Sequence, residues 1–575
     1  MIKPLRFAGR NFVLCCLTCL CCLAPSVTIA QSNAADGFRR LPVETYRQKM
    51  MAGWIGQMVG VSVGAPTEFR YLARIIPEDE VPEIYPGIAN DAFEQDDLYV
   101  EMTFLKSLET YGLDVSPAQA GIDFANSEYQ LWHANLAARD NLRRGIAPPD
   151  SGHPTYSGFS DDIDYQIESD FAGLISPGLP NNAIALGEKF GGIMNYGDGL
   201  YAGQFMSCLY TEAFFENDPL ALVEYGLRCI PAQSQYAEAI RDVIGWWRQH
   251  PYDWQATWAL LNEKYTLNPD YRRYSSNRIT GYDPEFNIDA KINGAYVVMG
   301  LIYGGGNPLE TITLTMRAGQ DSDCNPASAS GILSTTLGYD ALPAVFKAEL
   351  DETRVFSYTD IDFDELIAVS ERLARESVIA AGGRIETEAD GSEVFVIPVQ
   401  TPAPSPFVQS WDPGPTVGSR YTEDEMARIR FATRSLVRDV ERFAPGWTVA
   451  DCQNSDFLGL KAELLGRQNV LFTYPASRDV ACRLMTRVTL PEGSPALHLI
   501  VGHFPLGDWT LVVRANDDLL LEQVIGEETA VNGWTELWVD LSAYAGQEVA
   551  LELRNQANGW SWEGGYWAAI EVVGG

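Results

Sequence analysis

The chain has 575 residues, 46% of them hydrophobic and 21% charged, an ordinary globular composition. That length exceeds what one hydrophobic core usually organises, so two or more domains are expected. A formal net charge of −36 sets up a field that repels nucleic acid and anionic membrane, and no basic stripe offsets it, so a nucleic-acid partner is excluded and neutral substrates are favoured, or anionic ones where a bound cation intervenes.

Lys3, Arg6 and Arg10 precede an apolar run over residues 12–24, and Thr28 and Ala30 take the −3 and −1 places of a cleavage site before Gln31. Residues 1–30 therefore read as a signal peptide, and the protein is expected to be secreted or periplasmic. The apolar run is shorter than the roughly 20 residues a spanning helix needs, and no later segment reaches that length. No integral membrane segment is expected once the signal is cleaved. Five of the ten cysteines, Cys15, Cys16, Cys19, Cys21 and Cys22, would leave with the signal. The odd set that remains, Cys208, Cys229, Cys324, Cys452 and Cys482, has no zinc spacing, and a Cys452 to Cys482 bridge is the pairing expected.

Tyr46, Met50, Trp54 and Met58 recur every fourth residue and predict a helix with one buried face. Gly56, Gly60 and Gly64 continue the spacing. Each interior glycine costs a helix about 1 kcal/mol relative to alanine, so three on one stripe imply close backbone approach. Residues 60–64 also fit the G-x-S-x-G nucleophile pattern, but that elbow needs a strand before it and the preceding residues have helical period. Glu94, Gln95, Asp96 and Asp97 open a second helix through Met102, Leu105 and Leu108. Taken alone, acids there can simply cap the helix and complement its dipole.

Asp161, Asp162 and Asp164 follow a Gly-, Pro- and Ser-rich stretch and read as a solvated loop. Tyr196-Gly197-Asp198-Gly199 reads as a turn. Further helices are predicted around residues 237–248, 295–303 and 327–337, and convincing strands are absent before about residue 390. Residues 318–326 form a second acidic cluster that precedes a helix of small residues, with Pro326 suited to its first turn. Asp321 to Asn325 begins like an EF-hand loop, yet Pro326 stands where that loop requires glycine and Ile332 where it requires glutamate. His133, His153, His250, His498 and His503 show no H-E-x-x-H spacing, which argues against zinc hydrolysis.

Pro398, Pro402, Pro404, Pro406, Pro413 and Pro415 make residues 386–421 a stiff linker with little scope for regular structure. Thr422 and Glu425 stand at capping-box spacing and open a helix carrying Met426, Ile429 and Leu436. Alternating segments at 497–501, 509–514, 536–541 and 549–554, punctuated by turn dipeptides, predict a β-sandwich, so residues 422–575 read as a helix plus a sandwich. Trp534, Trp538, Trp560, Trp562, Tyr566 and Trp567 could stack on sugar rings or fill the sandwich core.

The two acid pairs, both at helix starts and remote in sequence, could converge if those helices pack together. Four carboxylates in one place repel strongly unless a cation sits among them, and hard oxygen ligands select magnesium, manganese or calcium. Metal binding is the better reading of the two clusters jointly.

Gly53, Gly56, Gly60, Gly64, Pro66, Glu68 and Phe69 resemble the glycine-rich first helix and acidic turn of the ADP-ribosylglycohydrolase family. Gln95-Asp96-Asp97 is similar to that family's early Thr-Asp-Asp metal motif, and Asp321-Ser322-Asp323-Cys324 to its late Asp-x-Asp-Thr motif; the likeness spans most of residues 43–345. The resemblance implies an all-α orthogonal helical bundle as catalytic domain over residues 43–385. It implies one or two magnesium ions (Mg; Mn or Ca possible) held by Gln95, Asp96, Asp97, Asp321 and Asp323, catalytic roles for Glu68 and Asp97, and substrate contacts from Tyr196 and Asp198. Gln95 and Cys324 stand where the family has threonine ligands; an amide still offers a carbonyl oxygen, whereas a thiol suits a hard cation poorly. Residues 539–546 resemble a segment of galactose-binding-type sandwiches, which implies a carbohydrate-binding, jelly-roll-like C-terminal domain.

The chemistry implied is hydrolysis at the anomeric carbon of a furanosyl unit through an oxocarbenium-like state. Joined to export, this gives the expected function: a divalent-metal-dependent glycoside hydrolase acting on a ribose-like or arabinose-like glycan or glycoside outside the cytoplasm. Its partner would be a small-molecule or glycan substrate, and the sequence sets no oligomeric state. The first alternative is hydrolysis of ADP-ribosyl-protein or ADP-ribose conjugates, and the non-enzymatic one is a glycan-binding protein on the same scaffold.

Overall fold

A helix that spends a glycine every fourth residue lies against a partner too close for side chains, and in this chain the partner comes some 270 residues later. The computed structural model describes residues 37–268, 271, 288–430, 436–453, 458–516, 518–559 and 562–574. The signal-peptide reading of residues 1–30 and the candidate Trp560 lie outside them. Strand β1 (Phe38–Pro42) leads into helix α1 (Val43–Gly64). The helices that position the site follow as α2 (Asp96–Tyr111), α3 (His133–Arg143), α4 (Asp164–Ile167), α5 (Asp170–Leu174), α6 (Asp198–Ala213), α7 (Gln235–Gln249), α8 (Ala290–Tyr303), α9 (Cys324–Leu337) and α10 (Phe363–Ala380).

Tyr46, Met50, Trp54 and Met58 are fully buried, as their spacing requires. The glycine stripe of α1 meets α9 running antiparallel. A Cβ on Gly53 would stand 2.4 Å from Thr335 Oγ1, on Gly56 2.5 Å from Ser334 Oγ, on Gly60 2.4 Å from the Pro326 carbonyl oxygen and on Gly64 2.0 Å from that of Ser322. On its side α9 answers with Ala327, Ser330, Gly331 and Ser334, all buried or small enough to admit the contact. The helix-propensity cost of the glycines, about 1 kcal/mol each, is offset by dispersion between two backbones in contact. Antiparallel register delivers the N-terminus of α9 to the C-terminus of α1.

Strands do occur before residue 390, contrary to the sequence reading. β1, β2 (Arg384–Thr387) and β3 (Glu393–Pro398) form an antiparallel sheet in the order β1-β3-β2. The outer strands escaped notice because they are short and their charges face solvent: Arg40 pairs with Glu386 and Glu388 across the sheet. β3 supplies the apolar residues, and its Phe395 packs 5.3 Å from the Tyr46 ring. β3 also falls inside the stretch read as irregular linker.

The proline-rich remainder, 399–421, is extended but strapped to the helical body. Gln204 donates to Ser405 Oγ, Tyr201 hydroxyl donates to the Pro406 carbonyl, Ser410 hydroxyl donates to Asp161, and Asp150 accepts from the amides of Val417 and Ser419. Prolines lack donors of their own, so the strap donates through Ser410, Val417 and Ser419 and accepts from Tyr201 and Gln204.

The capping box of Thr422 and Glu425 is present, but its helix ends at Ala427. Ile429 lies beyond it, and Leu436 opens a separate helix, Leu436–Phe443. Among the described residues the C-terminal strands are β4 (Thr448–Ala450), β5 (Gly459–Leu464), β6 (Arg467–Thr473), β7 (Cys482–Thr489), β8 (Ala496–His503), β9 (Trp509–Ala515), β10 (Asp518–Ile525), β11 (Trp534–Asp540), β12 (Glu548–Gln556) and β13 (Gly565–Val573). They form two antiparallel sheets, β10-β9-β12-β7-β4 and β11-β8-β13-β6-β5. Trp509 and Trp567 fill the core between them, 5.2 Å apart, so Trp567 is no sugar platform. Tyr566 is buried as well, whereas Trp538 and Trp562 are 60% and 49% exposed.

The expected Cys452–Cys482 disulfide is present, joined by an unforeseen Cys208–Cys229. No helix among the described residues is long and apolar enough to cross a membrane.

The close approach sets a test with an internal control. Gly60→Ala is expected to lower stability by about 1–3 kcal/mol through overpacking, because its new methyl meets backbone atoms at both Pro326 and Ala327. Gly245→Ala in α7, where a Cβ meets nothing within 4 Å, is expected to raise stability by up to about 1 kcal/mol. Thermal and urea unfolding of the two variants checks the sign difference; equal effects would contradict the packing argument.

Candidate metal centre

Where α1 ends, a short turn (Ala65–Thr67) carries the chain to Glu68. The α1–α9 contact presses this turn against the loop before α9. Thr67 and Ser322 hydroxyls lie 2.8 Å apart, the Phe69 amide donates to the Gln320 carbonyl at 3.2 Å, and the Gln320 amide donates to the Tyr71 carbonyl at 3.2 Å. Phe69 and Gln320 both hold left-handed backbone, φ 50° and 60°, a cost that the two stitched loops sustain together.

Two helix N-termini, each favourable to negative charge, then aim acids at the same place. Asp96 and Asp97 open α2, while Asp323 precedes the first residue of α9, Cys324. Cys324 Sγ lies 3.3 Å from Asp97 Oδ2 and 3.8 Å from Asp323 Oδ1. Ligand atoms of Asp321, Asp323 and Cys324 all fall within 4.8 Å of one another. A cavity of about 370 Å³ is lined by Glu68, Gln95, Asp96, Asp321, Asp323 and Cys324, with Trp132, His133, Asn135 and Asp164 opposite. Asp97 is fully buried and is not among the residues lining the cavity; its Oδ2 accepts from the Cys324 thiol. A larger cavity, about 600 Å³, lies further along α2 beside Tyr129 and Tyr358, but no metal-type ligand cluster among the described residues falls there.

The electrostatics are one-sided. None of the described residues lining the smaller cavity is Lys or Arg. Desolvation, then the charges of Asp323 and Asp96, pushes the Glu68 carboxyl up to about 8. Burial likewise raises Asp321 to about 8, and holds Asp97 and Asp323 well above the usual carboxylate range. Both carboxylate oxygens of Asp321 and Oδ1 of Asp97 are buried without a hydrogen-bond partner. Leaving such oxygens unpaired costs several kcal/mol, of order 1–3 each, unless a cation meets them. On that ground these acidic residues fit a divalent ion.

The run Asp161, Asp162 and Asp164 is not a solvated loop. All three are buried, and Asp162 and Asp164 cap α3 by accepting from the amides of Ala134 and Asn135. His133, Asp162 and Asp164 bring ligand atoms within 4.8 Å and form a second group that could hold an ion. Sequence reasoning missed Trp132, His133, Asn135 and Asp164 as cavity residues; the only trace was the Asp-x-Asp spacing at 162–164. Tyr196 and Asp198 stand outside the cavity lining. Tyr196 packs on His153 at 4.8 Å, and Asp198 accepts from the Tyr236 amide and lies near the Lys291 charge.

Glu68 and Asp321 protonate near 8 in the folded chain without cation and near ~4 when unfolded. Folded protein therefore binds more protons across that interval, so the stability these groups contribute is complete below it and is lost as pH rises through about 8. Metal-free protein is expected to melt lower at about pH 8.5 than at about pH 5, with added magnesium or manganese restoring more stability at the higher pH, where it displaces fewer protons. Scanning calorimetry with and without chelator checks this; cation rescue that is equal at both pH values would refute it.

A family model described as ADP-ribosylglycohydrolase matches residues 42–380. Among solved structures, an ADP-ribosylglycohydrolase-related protein complex is similar at 16% identity over 58% of this chain and 99% of that one, with TM-score 0.37. A cyclase from Fischerella sp. TAU is similar at 17% identity over 23% of this chain and 84% of its own, TM-score 0.19. The K3 cleaved adhesin domain of Lys-gingipain from Porphyromonas gingivalis w83 is similar at 13% identity over 24% and 97%, TM-score 0.18. None of the curated proteins compared matches the chain. With a family match over more than half its length, on the segment that builds the acidic cavity, the chain belongs to the ADP-ribosylglycohydrolase family.

Proposed function

We propose that the protein is a divalent-metal-dependent glycoside hydrolase acting on a neutral furanosyl glycoside or glycan outside the cytoplasm. The family supports a hydrolase; the observation that carries the substrate class is the charge of the cavity. Glu68, Asp96, Asp164, Asp321 and Asp323 line it and no described lysine or arginine does. A diphosphate entering there would find no lysine or arginine to pair with and only the bound cation as counter-charge, whereas sugar hydroxyls meet hydrogen-bond acceptors and the half-exposed ring of Trp132. Family membership keeps ADP-ribose conjugates as the second reading.

Gln95, Asp96, Asp321 and Asp323 would hold the cation, magnesium being the expected ion where donors are all oxygen. When bound, the cation supplies Lewis-acid polarisation and fixes sugar hydroxyls. Glu68, whose carboxyl is raised by burial and by the charges of Asp323 and Asp96 when no cation is bound, would donate a proton to the leaving oxygen. The surrounding carboxylates stabilise positive charge as it develops at the anomeric carbon. Asp97 positions Cys324 and the start of α9 from behind. Two disulfides support an oxidising compartment. Trp538, exposed and stacked 4.2 Å over His498 on the face of β11 and β8, supports sugar contact by the sandwich.

Aryl arabinofuranosides and ribofuranosides, assayed beside ADP-ribosyl peptides with and without chelator, provide the test. Furanoside cleavage that chelator abolishes is expected, and Glu68→Gln is expected to lower kcat by about 100-fold or more with cation affinity retained. Cleavage of ADP-ribosyl peptides with every furanoside inert would overturn the substrate class, and full activity in chelator would overturn the metal.

A further inference from the structure

The first residue of α9 is a thiol among carboxylates. A buried cysteine usually packs as a small apolar group, but Cys324 has oxygen neighbours: Asp97 Oδ2 at 3.3 Å and Asp323 Oδ1 at 3.8 Å, with Asp321 completing a set within 4.8 Å. It lines the cavity and, among the described residues, is the free cysteine beside two disulfides. An independent observation points to a ligand at the same spot: Asp321, 1% exposed and also lining the cavity, has both carboxylate oxygens without a hydrogen-bond partner.

We propose that Cys324 is itself a metal ligand, bound as the thiolate, so that the position it shares with Asp321 and Asp323 takes a borderline or soft dication such as zinc or cadmium in preference to magnesium. This rests on reading the acidic cavity as a metal centre. Binding breaks the S–H bond, forms a metal–sulfur bond and sends the thiol proton to solvent together with any proton the coordinating carboxyls still hold, with no change of oxidation state. Thiolate donors favour softer ions than carboxylate oxygens do, and with both flanking carboxylates ionised the three protein ligands carry one negative charge more than the dication neutralises. Where an all-oxygen set would leave magnesium competitive, one sulfur shifts the preference. The carboxylates of Asp96 and Glu68 line the same cavity and remain available to an oxygen-loving ion.

The test uses full-length protein stripped with chelator and titrated with cadmium, followed by calorimetry and by the thiolate-to-cadmium charge-transfer band in the ultraviolet. Wild type is expected to show a band that saturates at one cadmium per chain. Cys324→Ser and Cys324→Thr are expected to lose the band, bind cadmium about tenfold or more weakly and bind magnesium more tightly, with unfolding curves confirming that each variant is folded. Cadmium heat in wild type without the band overturns the thiolate ligand and leaves the metal centre standing. Absence of both heat and band overturns the metal centre with it, and a band that persists in folded Cys324→Ser assigns the sulfur elsewhere and overturns the proposal.

Discussion

Two helix backbones pressed together along a glycine stripe are the constraint on which the site depends. At Gly60 and Gly64 of α1 there is room for hydrogen and nothing larger, because α9 and its preceding loop occupy the space. That contact fixes the loop of residues 319–323 against the turn of residues 67–71, and the paired amides and hydroxyls between them keep register. Glu68 and Asp321 owe their meeting to this packing, since no local signal joins stretches so far apart. Interior packing of this density tolerates little displacement, so the cavity inherits the rigidity of the helix pair.

Against that rigid frame the acids divide into two kinds. Glu101 of α2 is fully buried, yet its carboxylate accepts from the amides of Asp170 and Phe171 and so caps α5. Asp170 accepts from the Tyr210 hydroxyl at 2.6 Å, and Glu168 from the Asn135 amide at 2.5 Å. Each of these carboxyls has at least one donor built against it and serves the fold, although Glu168 Oε2 and Asp170 Oδ1 meet none. Asp321 has none. An acid so placed either keeps its proton or meets a cation, and the lack of any donor at both oxygens sets Asp321 apart from the acids that serve the fold. Sites with unsatisfied charge cost stability that the surrounding core must supply.

Much of the frame was legible because its signals are local. The four-residue spacing of Tyr46, Met50, Trp54 and Met58, the glycines on the same helix, and the acid pairs at two helix starts all report on their own segments, and each lies where its spacing says. Features set by remote partners were not legible. Asp162 and Asp164 read as solvated because nothing near them shows that the start of α3, some thirty residues earlier, would need their oxygens. β1 shows no strand signal in sequence because its pairing partner β3 arrives only after the whole helical body. Prolines announced an extended path for residues 399–421 but not the docking, which α6 provides through Tyr201 and Gln204. Tryptophans of the sandwich were visible as a set, but only strand register tells Trp567 in the core from Trp538 on the surface.

The account stands most directly on where a dication goes. Crystals grown metal-free and soaked in manganese, measured at a wavelength where manganese scatters anomalously, locate the ion without reference to any substrate. A strong anomalous peak is expected in the cavity within bonding distance of Asp321 and Asp323, with the Asp96 carboxylate turned toward it. Peaks confined to surface acids, with the Asp321 oxygens still unmet, would contradict the claim that this packing exists to hold a metal.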